Sequence, residues 1–127
     1  MTKKLAIIAL LAIGAIACKK ENDSENPVIT ILKPATGVEY KKDSVIISFT
    51  VTDEDLHEVG FSINRITDDS VIYSFPKDHV HDNPFVFLDT LSVNPTINAD
   101  YILKVTAEDH NGNETTKSSD HFHIHNH

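Results

Sequence analysis

From Pro27 onward, apolar residues recur at every second position, and short turn-forming clusters break the rhythm at intervals of roughly ten residues. Segment 44–52 shows it most plainly: Val45, Ile47, Phe49 and Val51 fall on one parity, and Ser48, Thr50 and Thr52 on the other. Successive side chains of an extended strand point to opposite faces, so such a segment has one buried face and one wet face. A helix cannot satisfy that period over any useful length. The same pattern predicts strands at 28–32, 57–65, 71–75, 85–93, 101–108 and 115–124. Turns are expected at Thr36-Gly37, Asp68-Asp69 and Asn111-Gly112, the last a strong hairpin signal. With 127 residues there is room for one such domain, over 27–127.

About seven short strands joined in this way predict an all-β fold, an immunoglobulin-like antiparallel sandwich of two sheets packed face to face. The chain has one cysteine and no tryptophan, so the disulfide and core tryptophan of antibody domains are both missing. The domain resembles bacterial Ig-like and fibronectin-like modules instead. The segment Val105-Thr106-Ala107-Glu108-Asp109-His110-Asn111-Gly112-Asn113 looks like their penultimate strand and following turn. Fold at this level says little about function.

Residues 1–17 begin with Lys3 and Lys4 and continue as an apolar run that ends in Ala15-Ile16-Ala17, just before Cys18. The run is shorter than the roughly 20 apolar residues a spanning helix needs. Its charged start and small-residue end are those of a secretory signal peptide. Ala15-Ile16-Ala17-Cys18 resembles the lipobox of bacterial lipoproteins, although Ala15 stands where that motif usually has Leu. The resemblance implies cleavage before Cys18 and acylation of its thiol, with the acyl chains holding the protein to a membrane. Residues 18–26 would then be the lipidated cysteine and a polar tether. The tether's acidic stretch resembles the export signal of surface-exposed Bacteroidota lipoproteins, which implies the outer surface of the outer membrane, with the periplasmic face as the alternative.

Histidine is the compositional outlier: there are eight, all after position 56. Asp78-His79-Val80-His81-Asp82 and the terminal run His121-Phe122-His123-Ile124-His125 both place histidines two apart. On a strand, such pairs share a face about 7 Å apart, within reach of one metal ion. Phe122 and Ile124 would then face the core. Sandwich topology further predicts that His57, His110 and the Asp78-His79-Val80-His81-Asp82 segment gather at one pole, among Asp53, Asp55 and Asp109, with the terminal run at the other. Two separate sites are expected. Imidazole with carboxylate support suits Zn or Cu(II), and nothing supplies the sulfur cluster that Cu(I) prefers. The competing reading is that these histidines are polar residues on a solvent face.

Other chemistries fit poorly. A net charge of -8 argues against nucleic acid. Asp109, Asn111 and Asn113 match the opening of a calcium loop, but Glu114 occupies the position of its turn glycine, so Ca is the weaker assignment. There is no nucleophile elbow and no phosphate-binding glycine loop, so a non-catalytic binding role is expected. Its alternative is an adhesion module that takes a glycan or an envelope protein. Together, Cys18, His79-x-His81, the turn over 109–115 and His123-x-His125 resemble His-rich Ig-like lipoproteins of Bacteroidota, a domain family without an assigned function.

Overall fold

The computed structural model describes residues 25–127; the leader, Cys18 and most of the tether lie outside the described residues. Among the described residues, nine strands build two sheets: β1 (Val28–Lys33), β2 (Glu39–Lys41), β3 (Val45–Thr52), β4 (Leu56–Arg65), β5 (Val71–His79), β6 (Phe85–Leu91), β7 (Ala99–Asp109), β8 (Glu114–Ser118) and β9 (Phe122–His125). One sheet has the order β1-β3-β6; the other runs β2-β9-β7-β4-β5, with β8 also on β7. The fold is thus the expected all-β sandwich.

Alternation explains why the sheets pack. Val45, Ile47, Phe49 and Val51 are fully buried on β3, and Tyr101, Leu103, Val105 and Ala107 are fully buried on β7. An aromatic group bridges the layers: Phe49 lies 5.7 Å from Phe61 of the opposite sheet and 5.2 Å from Phe87, and Phe61 meets Phe87 at 5.0 Å. Such pairs add to what burial of their area alone contributes. The outward face of the smaller sheet is different in kind. Val28, Val86 and Leu88 are exposed there, opposite polar residues: Val28 faces Thr52, Val86 shares a row with Thr50 and Thr30, and Leu88 shares one with Ser48 and Lys33.

Three details depart from the sequence reading. The segment 115–124 is two strands, because 119–121 leaves the sheet. β8 covers one half of the β7 edge and β9 the other. β2, only three residues long, is too short to show a period, and it pairs with β9 in parallel, the one parallel pairing among the described residues. β5 continues past Pro76 to His79. That is tolerated because β5 is an edge strand and its register with β4 shifts in the Val59–Phe61 stretch. The turns fall as expected, with Gly37 and Gly112 at positive φ and Asp69 in the same region at φ 58.

Candidate metal centre

The site begins with an irregularity at the start of β4. Leu56 is opposite Asp109 on β7 and Glu58 is opposite Glu108, so His57 is an extra residue in the ladder, a β-bulge. On a regular strand His57 and Glu58 would face opposite sides of the sheet. Here their side chains emerge together, with His57 Nε2 3.4 Å from Glu58 Oε1. β5 brings the third group, since His79 is the cross-strand partner of Glu58 and therefore shares its face. Gly60 makes that register possible. A Cβ at this position would lie 2.6 Å from the Lys77 amide nitrogen and 2.8 Å from the Phe75 carbonyl oxygen. Only a bare backbone lets β5 approach so closely.

His110 arrives on the β7–β8 turn. The Asp109 carboxylate, almost wholly buried, accepts hydrogen bonds from the Asn111 and Asn113 amides and from Asn113 Nδ2, each at 2.9 Å. Burial pushes this carboxyl up, but the bonds from Asn113 and Asn111 outweigh it and hold the group below its ordinary value. Both carboxylate oxygens thus hold the turn in place. The His110 amide donates to the Asp55 carbonyl at 3.0 Å and docks the turn on the β3–β4 connection. The His110 ring centre then lies 4.1 Å from that of His57, and the His79 ring centre lies 4.4 Å from it.

His57, Glu58 and His79 each offer one donor atom, and these atoms all lie within 4.8 Å of one another. Ligands of a tetrahedral ion with bonds of about 2.0–2.1 Å sit about 3.3 Å apart. The His57–Glu58 separation is already of that order. His79 is exposed and can close the remaining distance by a side-chain rotation. His57 and Glu58 are about one-quarter exposed, so the site opens to solvent. Across the sheet, His79, Glu58, Glu108 and Glu114 form one row. Lys77 Nζ holds Glu114 at 2.6 Å and Glu108 at 2.9 Å, and these carboxylates push its ammonium up. The Lys77 pairs pass over Glu58, whose carboxylate lies against His57.

The structure thus brings His57, His79 and His110 together, as the topology argument expected, and adds Glu58. Alternation hid Glu58, because a residue adjacent to His57 should face away from it. Three expected members stand apart. His81 and Asp82 lie beyond the end of β5. The Val80 amide bonds to the His57 carbonyl, and β4 begins only one residue earlier, so no backbone remains to pair with His81. Asp78 is opposite the core residue Val59, which places it on the other face of β5, where its carboxylate accepts from the His79 amide. In the terminal run, His123 and His125 share the outer face of β9, with Phe122 and Ile124 buried as expected. His121 precedes the strand and is exposed, so it does not join them.

No protein-family model matches the chain, nor does any curated protein. Among solved structures, the chain is similar to an engineered protein at 20% identity with a TM-score of 0.55. That match covers 78% of this chain and only a fifth of the engineered protein's length. It is also similar to CopC from Methylosinus trichosporium OB3b, at 13% identity with a TM-score of 0.51, over 77% of this chain and 94% of CopC. At these identities the likeness is one of fold.

Proposed function

We propose that this protein is a non-catalytic, envelope-tethered binder of a divalent transition metal, Cu(II) or Zn(II), held at the pole formed by β4 and β5. The observation that carries this reading is the convergence of donor atoms from His57, Glu58 and His79. Two imidazoles and a carboxylate are the donor set these ions accept, and at equal supply copper binds such a set more tightly than zinc. Three protein donors leave a position for water or for His110, whose ring already packs on His57. An open, partly exposed site of this kind suits an ion that is picked up and handed on, as in a buffer, sensor or delivery protein. Tethering through an acylated Cys18 rests on the lipobox-like Ala15-Ile16-Ala17-Cys18. Calorimetric titration of the full chain with Cu(II) or Zn(II) should show binding at micromolar or tighter Kd that is lost from this pole in His57→Ala/His79→Ala. Undiminished binding in that variant rejects the assignment.

A further inference from the structure

The opposite end of the same sheet face carries a constellation that shares no residue with the β4–β5 pole. We propose that His123 and His125 form a second, independent site for a divalent transition cation. Their ring centres are 4.7 Å apart with planes at 65°. With bonds of about 2.0–2.1 Å, a ring centre lies about 3.2 Å from the ion it ligates, so two rings sharing one ion sit roughly 4.5–5.2 Å apart. The pair already has that spacing.

Each ring is also held by a carboxylate from a neighbouring strand. His123 Nδ1 is 2.9 Å from Asp100 Oδ1, and His125 Nε2 is 3.1 Å from Glu39 Oε1. Asp100 is His123's register partner on β7, and Glu39 lies opposite His123 on the parallel strand β2. An ionised carboxylate can only accept a hydrogen bond, so the ring nitrogen facing it carries the proton of the neutral imidazole. The lone pairs are therefore on His123 Nε2 and His125 Nδ1. A carboxylate behind a metal-bound histidine does the same: it fixes the tautomer, holds the ring in place and raises its basicity. Lys41 is opposite His125, but the two carboxylates outnumber that one ammonium. His127, whose ring centre is 5.7 Å from that of His125, offers a third donor at the open end.

The two sites are far apart. Asp100 marks one end of β7 and Glu108, the partner of Glu58, the other, roughly 27 Å away at about 3.4 Å per residue. No single ion can bridge them, and at about 0.15 M salt charges are screened over about 8 Å.

Titration of the full chain with Zn(II) or Cu(II) alone should give two ions per chain. One ion should remain in His123→Ala/His125→Ala, and one in His57→Ala/His79→Ala. In the latter background, Asp100→Asn with Glu39→Gln keeps both imidazoles and the sheet, and should weaken the remaining ion about tenfold. The inference is overturned if His57→Ala/His79→Ala binds no ion, if His123→Ala/His125→Ala still binds two, or if metal is held only between two copies, seen as metal-dependent dimerisation in light scattering. A wild-type chain that binds one ion, retained in His57→Ala/His79→Ala, would instead remove the β4–β5 site and leave this one standing.

Discussion

The two ends of the larger sheet gather histidines by different means. On β9 the strand is regular: His123 and His125 are two apart, lie on one face, and each ring is tied to a carboxylate at about hydrogen-bond length. At the β4–β5 pole a bulge sets His57 beside Glu58, cross-strand register adds His79, and a turn adds His110. There the nearest carboxylate contacts of the histidine rings are longer, at 3.4 Å and 4.0 Å. The regular end owes its paired rings to alternation and their carboxylates to cross-strand register, whereas the irregular end depends on backbone devices that single substitutions can break.

The largest expected difference comes from Gly60→Ala. The added methyl meets backbone atoms of β5 rather than a movable side chain, so β5 must shift and carry His79 away from Glu58. Such overpacking costs about 1–3 kcal/mol, read as a lowered midpoint in denaturant unfolding. Metal affinity at the β4–β5 pole should fall at least about tenfold, equivalent to about 1.4 kcal/mol. The β9 pair should keep its affinity. An equal loss at both ends would show that the close approach of β5 at Gly60 has no special role.

A smaller effect is expected from Lys77→Met. Its ammonium neutralises Glu108 and Glu114, beside Glu58 in the same row. Removing it leaves a more negative field around the histidines and should raise cation affinity there by roughly two- to fivefold at low salt, less at physiological ionic strength. Folding stability should change by less than about 1 kcal/mol, as is usual for exposed ion pairs. Calorimetry at two salt concentrations reads this directly. No salt-dependent gain would mean that Lys77 does not tune the site.

The same contrast explains what could be read from the sequence. Burial of Phe122 and Ile124 between outward-facing His123 and His125 follows from period two, and so does the buried row on β3. The nearness of His110 to His57 also follows from the sequence, because Asn111-Gly112 fixes a hairpin and sandwich topology fixes its end. Glu58 could not be found this way, since a bulge leaves no mark in an alternating pattern until the partner strand is known. The Asp78-to-Asp82 motif delivers only His79 for the converse reason: a shared face for His79 and His81 needs the chain to stay strand-like through His81, whereas the partner strand β4 has run out by then. β2 leaves no signal in the sequence because three residues carry no period, and its partner β9 is a separate strand only because 119–121 leaves the sheet.

The most direct test of the account follows the imidazole nitrogens of the full chain by long-range proton–nitrogen NMR while Zn(II) is added. If His57 and His79 converge on one ion with Glu58, their ring signals move together to a single saturating endpoint, and in Glu58→Gln that endpoint is reached only at higher zinc. Ring signals of His57 and His79 that stay put, or that drift no further than those of His81 and His121, would contradict it.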